Sequence, residues 1–188
     1  FNFRIAEFAK KSGLRVFYYI SPKLWAWKEG RVKRVKKHVD RMYIIFPFEV
    51  DFYRKHNIEV EYRGNPLLDE TEKMLMAFPS RDVIRKSLGL GDKPVIALLA
   101  GSRKSEVRDI LPAMIKSVRH FPGYQFVLAG VKNLTDELYH NIIGDHPVIL
   151  IKDKTYEILY VSEAALVKSG TATLETALLR IPEVVCFK

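Results

Sequence analysis

A glycine loop that follows an apolar run carries the first group of residues suited to chemistry. Residues 95–100 are all apolar and lead into Gly101, Ser102 and Arg103, with Glu106 a short step further on. A glycine at the end of a buried strand lets the backbone turn closely beneath a ligand, with its N–H groups facing outward. Together with the arginine, this pattern indicates an anion-binding loop. The alternative is an ordinary strand-to-helix turn with solvated charges.

A second glycine loop follows another apolar run, residues 164–167. Ser169, Gly170 and Thr171 can offer backbone N–H groups to phosphate oxygens, and Ser169 or Thr171 can cap the helix that follows. Glu175 lies about one turn into that helix and can accept hydrogen bonds from two neighbouring hydroxyls, such as those of a ribose. The alternative is a first-turn acid that the helix dipole favours.

The elements around both loops alternate regularly between strands and helices. The pattern predicts strands at 95–100, 124–129, 147–151, 163–167 and 183–187, and helices near 112–120, 133–142, 155–161 and 172–180. Such alternation indicates βαβ units around a parallel sheet. Because the carboxyl ends of parallel strands share one edge, both loops should open there, and one site could receive phosphates from both.

Pro112 interrupts the helical pattern that follows the first loop. An unbroken helix from Ser105 to His120 would lose the hydrogen bond from residue 112 to the Arg108 carbonyl, at a cost of about 3 kcal/mol. We therefore expect a short turn, followed by a main helix with Pro112 in its first turn.

The chain should divide into two α/β domains, residues 1–70 and 71–188, with the junction in the less regular stretch 67–93. It has no initial methionine and ends directly after a strand-like run, so we interpret both ends as cuts through a larger protein.

The composition favours an anionic partner. The chain has 31 Lys+Arg against 22 Asp+Glu, a formal net charge of +9, and a basic face over residues 28–37 that either meets anionic lipid or is solvated. A single cysteine excludes an internal disulfide framework, and the histidines show no metal-ligand spacing. No apolar run approaches the roughly 20 residues of a bilayer-spanning helix.

Five ordered motifs give the chain a family resemblance. They are Ile20–Trp27 (Ser-Pro-x-x-Trp-Ala-Trp), Phe46–Glu49, Arg63–Pro66, Leu98–Arg103 with Glu106, and Ser169–Glu175. In order and spacing they closely resemble bacterial lipid-A-disaccharide synthase across essentially the whole chain. This resemblance implies the glycosyltransferase B fold, α/β with two Rossmann-like domains, both incomplete at the chain ends here. Residues 1–70 would be the later part of the acceptor-side domain, and residues 71–188 most of the nucleotide-sugar domain.

The resemblance also implies an activity. Such an inverting hexosyltransferase moves 2,3-diacylglucosamine from UDP-2,3-diacylglucosamine to 2,3-diacylglucosamine 1-phosphate, releasing UDP, in lipid A biosynthesis. No cofactor, metal or nucleic acid is expected, and the location is cytoplasmic, peripheral to the anionic inner membrane.

By the same resemblance, Arg103 would be catalytic by stabilising the departing UDP. The acidic base would precede Phe1, so the isolated chain is expected to be inactive. The nucleotide and diphosphate residues would be Gly101, Ser102, Arg103, Glu106, Ser169, Gly170, Thr171, Thr173 and Glu175.

Other positions carry weaker expectations. Ser21, Trp25, Trp27 and Asn65 would lie in an acceptor or acyl region, with core packing or a lipid interface as alternatives for the tryptophans. Lys168 stands where a small or uncharged residue is usual, and is either a cation near the phosphates or a solvated lysine.

Two other functions stay open from the sequence. One is a related B-fold UDP-sugar enzyme, such as an epimerase or a peptidoglycan-precursor transferase, which would not be expected to carry the tryptophan motif. The other is a basic nucleotide- or nucleic-acid-binding module, against which the glycine loops at strand ends argue.

Overall fold

The α/β structure divides into two units, Phe1–Glu70 and Thr71–Lys188. The computed structural model describes residues 2–187, with every side chain in that range except that of Trp27. Among these residues, none of the helices combines the length and the apolar character that a membrane-spanning segment needs.

The first unit contains a small parallel sheet. Its strands are β1 (Phe17–Tyr19), β2 (Arg41–Ile44) and β3 (Glu61–Tyr62), in the order β1-β2-β3. Its helices are α1 (Asn2–Lys11), α2 (Leu24–Trp27), α3 (Val32–His38) and α4 (Phe48–Lys55), with a 3-10 turn at Glu29–Arg31. Helix α5 (Pro66–Ala77) contains the division between the units.

Helix α3 has a narrow buried stripe. Val32, Val35 and His38 are buried, whereas the lysines and the arginine between them are exposed. The valines pack with Met42 and Ile44 of the sheet in the core of this unit. The spacing of three residues keeps the apolar side chains on one face and leaves a basic outer face.

The second unit is a five-stranded parallel sheet with helices on both faces, as the strand-helix alternation predicts. The strands are β4 (Val95–Leu99), β5 (Gln125–Gly130), β6 (Val148–Lys152), β7 (Ser162–Lys168) and β8 (Glu183–Cys186), in the order β6-β5-β4-β7-β8. The helices are α6 (Arg81–Ser87), α7 (Lys104–Val118), α8 (Asp136–Ile143), α9 (Thr155–Tyr160) and α10 (Thr171–Leu178).

Strand β4 lies at the centre because its five residues are all apolar and all buried. Ile96 and Leu98 pack with α7 and α8 on one face of the sheet. Val95, Ala97 and Leu99 pack with α6, α9 and α10 on the other face. A strand covered on both sides needs this continuous apolar run, which is why it is the strongest strand signal in the sequence.

The predicted break at Pro112 is wrong. Helix α7 runs unbroken over Lys104–Val118 with Pro112 inside it. Val107 and Ile110 before the proline and Met114 and Val118 after it are all buried against the sheet. Burying both halves of the helix along one apolar stripe offsets the lost hydrogen bond, so tertiary packing overrides the local penalty.

The strand order creates a switch point beside β4. The chain moves outward from β4 to β5 and β6, then returns to place β7 on the opposite side of β4. In open α/β sheets, ligands bind outside the carboxyl ends of the strands at such a point. The loops after β4 and β7 therefore face each other where a ligand site is expected.

Candidate functional site

A cavity of about 360 Å³ opens at this switch point. Its lining includes seven of the residues that the sequence proposed for nucleotide binding: Gly101, Ser102, Arg103, Glu106, Gly170, Thr171 and Glu175. Leu99, Ala129, Val131, Thr155, Lys168 and Ala172 complete it. The volume lies at the lower end of the range of small-molecule sites.

The bend at Gly101 closes one side of the cavity. Its φ is +105°, a backbone conformation that side chains with a Cβ rarely adopt. A Cβ at this position would lie 2.6 Å from Glu106 Oε2 and 2.8 Å from Glu106 Cβ. The position therefore requires glycine on two grounds, conformation and space.

Glu106 fastens the loop to the start of α7. Its Oε2 accepts hydrogen bonds from the backbone N–H groups of Ser102 at 3.1 Å and Arg103 at 3.3 Å. Its Oε1 lies 3.2 Å from an Arg103 guanidinium nitrogen. The N–H groups that the sequence placed outward are thus occupied by a carboxylate in this structure, because the third residue of the helix reaches back to cap its own N-terminus.

Lys168 is the fourth donor to this carboxylate. Its Nζ lies 2.9 Å from Glu106 Oε1, and its side chain is 28% exposed. The interpretation of a solvated lysine is therefore wrong, since the ammonium group is held inside the cavity by an ion pair. The hydrogen bond from Lys168 is the first cause that lowers the pKa of Glu106, followed by those from the Arg103 and Ser102 backbones against an opposing effect of burial.

The second loop supplies the opposite wall. Gly170 is the N-cap residue of α10, and none of the described side chains caps this helix, so the prediction that Ser169 or Thr171 caps it is wrong. The Ser169 N–H was also proposed to meet a phosphate oxygen, but it donates to the Cys186 carbonyl at 2.8 Å. The Thr173 hydroxyl donates to the Gly170 carbonyl at 2.7 Å. Ser169 and Thr173 thus tie the loop to neighbouring backbone, whereas Gly170 and Thr171 line the cavity.

Glu175 faces the cavity from one turn inside α10. The Tyr156 hydroxyl at the start of α9 donates to its Oε1 at 2.8 Å. One donor on one oxygen orients the carboxylate and leaves acceptor sites on the other oxygen. Such a group can accept hydrogen bonds from ligand hydroxyls.

The arrangement combines three chemical elements around one space. Arg103 is a cation whose side chain is 80% exposed, so its guanidinium can turn toward a ligand at little cost. The N-terminus of α10 presents backbone N–H groups without intrahelical acceptors. Glu175 supplies an acceptor. Together they can hold an anionic group beside a group rich in hydroxyls.

The weaker predicted residues belong to the first unit. Ser21 is buried, and its hydroxyl donates at 2.5 Å to Oε1 of the buried Glu49. Asn65 Oδ1 accepts from the Leu67 N–H at 3.1 Å, at the start of α5. Both side chains therefore support local structure here.

Trp25 presents an aromatic surface in the same unit. It is 41% exposed and packs edge-on against Phe48 at 4.9 Å between ring centroids, so it is not a core residue. The Trp27 side chain lies outside the part of the chain that the structure describes.

Within residues 2–187, no group of His, Cys, Asp and Glu side chains is arranged to hold a metal ion. Little in the sequence pointed to Thr155, which lines the cavity, or to Tyr156, which orients Glu175. Thr155 and its neighbour Tyr156 lie in an apolar-aromatic stretch that reads as ordinary helix. Only the helix start after β6, at the same edge of the sheet, could have indicated them.

Comparison with known proteins gives a family match. The sequence model of the family described as lipid-A-disaccharide synthetase matches residues 1–188. The lipid-A-disaccharide synthases of Syntrophus aciditrophicus and Geobacter metallireducens are 43% and 38% identical to this chain, over all of it and 50% of each relative. The chain thus spans about half the length of these curated relatives. The resemblance that the motifs indicated is confirmed.

Solved structures match the fold. The UDP-GlcNAc 2-epimerase from Neisseria meningitidis, bound to UDP-GlcNAc, aligns with a TM-score of 0.69 and 17% identity over 97% of this chain and 56% of the epimerase. A co-structure of S. aureus MnaA with UDP gives a TM-score of 0.70 and 16% identity over 97% and 54%. The glycosyltransferase B architecture that the resemblance implied is therefore confirmed.

Proposed function

The chain belongs to the lipid-A-disaccharide synthase family, and we propose that residues 71–188 bind the UDP part of a UDP-linked sugar in the cavity between the loops after β4 and β7. The single observation that carries this proposal is the convergence of Gly101, Arg103, Gly170 and Glu175 around one cavity at the switch point of the sheet. The family match favours this function over an epimerase or a nucleic-acid-binding module.

In the proposed site, the diphosphate lies between Arg103 and the N-terminus of α10. The guanidinium can donate two parallel hydrogen bonds to phosphate oxygens, and the first N–H groups of α10 add a positive dipole end. Glu175, oriented by Tyr156, accepts hydrogen bonds from the ribose hydroxyls.

The proposed activity is that of the whole synthase: transfer of 2,3-diacylglucosamine from its UDP derivative to 2,3-diacylglucosamine 1-phosphate. As the bond to the sugar breaks, negative charge grows on the departing UDP, and Arg103 stabilises it. Removing a donor of this kind raises the barrier by about 2.7–4 kcal/mol.

The first unit is proposed to serve the acceptor side. The exposed Trp25 and Phe48 rings form an apolar surface suited to an acyl chain. The basic face over residues 28–37 suits the anionic surface of the inner membrane, where each cation near the surface contributes about 1 kcal/mol. Both features support an enzyme that works at a membrane surface, and the family match supports the cytoplasmic side of the inner membrane.

Calorimetric titration with UDP tests the nucleotide assignment. Arg103→Ala and Glu175→Ala should each weaken binding at least tenfold, because a hydrogen bond to a charged group contributes about 1.5–3 kcal/mol. Arg108→Ala is the matched control, since Arg108 is an exposed arginine of α7 that does not line the cavity. Equal UDP affinities in the wild type and both cavity variants would contradict the proposal.

A further inference from the structure

The pairing of β4 with β7 places Lys168 in the cavity. Leu99, the last residue of β4, is in register with Val167, so Lys168 follows at the level where the first glycine loop begins. Its ammonium group reaches across to Glu106 at the start of α7. This cation therefore lies beside the loop that carries Arg103, although 65 residues of sequence separate the two positions.

The ammonium group keeps donors for a ligand. A lysine ammonium has three N–H donors and no acceptor. Among the described residues, Glu106 Oε1 is the one acceptor within hydrogen-bonding distance of Lys168 Nζ. Two donors therefore remain while that bond holds the group in place, and the 28% exposure of the side chain lets an incoming ligand reach them.

The charged residues that line the cavity show why Lys168 is needed for an anion to bind there. Arg103 and Lys168 are its cations, and Glu106 and Glu175 are its carboxylates. With Lys168 the four charges balance, whereas without it the cavity carries a net negative charge that repels phosphate. An ion pair that neutralises Glu106 thus keeps the space beside Arg103 open to an anionic group.

We propose that Lys168 is a second diphosphate-binding cation of this site, held by Glu106 so that its free donors meet the β-phosphate of a nucleoside diphosphate. The proposal rests on the proposed function, because it takes the cavity as the UDP site. It assigns to Glu106 the positioning of Lys168 and of the Ser102–Arg103 backbone, and it gives this chain a determinant of diphosphate over monophosphate recognition.

Titrations with UDP, UMP and uridine test the proposal on the folded chain. Lys168→Met should weaken UDP binding about tenfold or more and the binding of UMP and uridine by less than about twofold, so that the preference for UDP over UMP falls. Lys168→Arg keeps the charge and should stay within about threefold of the wild type. Lys104→Met is the matched control, because Lys104 is an exposed lysine next to Arg103 that does not line the cavity.

Two results would overturn this inference and leave the proposed function intact. One is a Lys168→Met variant that binds UDP as tightly as the wild type. The other is an equal loss for UDP, UMP and uridine, which would show that Lys168 only supports the loop through Glu106. A wild-type chain that binds no UDP would instead overturn the proposed function, and this inference with it.

A measurement on the wild type avoids any folding defect of a variant. Acetylation of lysines by acetic anhydride, followed by mass spectrometry, reports the accessibility of each ammonium group. Saturating UDP should slow the acetylation of Lys168 several-fold and leave Lys104 unchanged. Equal rates at Lys168 with and without UDP would refute the contact.

Discussion

Replacing Gly101 by alanine should destabilise the second unit by about 2–4 kcal/mol. Holding a residue with a Cβ at a φ of +105° costs about 1–3 kcal/mol. The new Cβ would also meet Glu106 Oε2 at 2.6 Å, so Glu106 must move away from the Ser102 and Arg103 N–H groups. Each hydrogen bond lost in this way contributes about 1 kcal/mol.

Gly170→Ala is the control that separates folding from binding. The φ of Gly170 is 164°, which is extended backbone open to any residue, and the nearest atom to an added Cβ is the Lys168 carbonyl oxygen at 3.9 Å. The free energy of unfolding of the Gly170→Ala variant should therefore stay within about 0.5 kcal/mol of that of the wild type. Because Gly170 lines the cavity, the added methyl should weaken UDP binding by about 1 kcal/mol or more, roughly fivefold.

Urea denaturation followed by circular dichroism measures the first effect, and calorimetry with UDP measures the second. A loss of 2–4 kcal/mol corresponds to a fall of roughly 10 °C in the melting temperature of a unit of this size. A Gly101→Ala variant as stable as the wild type would refute the account of the loop. An unchanged UDP affinity in Gly170→Ala would refute the approach of phosphate to that residue.

Three further substitutions test other parts of the structure. Pro112→Ala should stabilise the chain by about 1 kcal/mol in urea denaturation, because Pro112 is exposed and alanine restores the hydrogen bond to the Arg108 carbonyl; a loss of stability would show that the proline ring itself packs. Ser21→Ala should cost about 1–3 kcal/mol by leaving the buried Glu49 short of a donor, with UDP affinity unchanged; no cost would mean that Glu49 finds another partner. Folding lowers the pKa of Glu106, so its ionised form stabilises the fold at pH values above the ordinary pKa of 4.5. This stabilisation is lost as the pH falls through the lowered pKa of the folded protein. The stability difference between the wild type and Glu106→Gln should therefore shrink between about pH 6 and pH 3, and a constant difference would contradict the pairing.

The strands and the first glycine loop could be predicted from local sequence because their physical causes are local. A central strand must be apolar along its whole length, as Val95–Leu99 is, and a tight bend must be glycine, as at Gly101. The same reasoning failed at Pro112, where a local penalty is outweighed by burial along the whole of α7. It also failed to identify the cap of α10, since several residue types suit that position.

The sequence by itself determined the alternation of strands and helices, the two glycine loops and, through five motifs, the family. Only the tertiary structure decided that β7 returns to the side of β4, because strand order depends on packing between segments far apart in the chain. That order brings Lys168 to Glu106 and turns a lysine that reads as solvated into part of a cavity wall. The contacts of the Ser102 and Arg103 N–H groups are local by contrast, because their acceptor Glu106 lies in the first turn of the helix that follows them. Residue types carry the chemistry of this site, and the pairing of distant strands decides which of them meet.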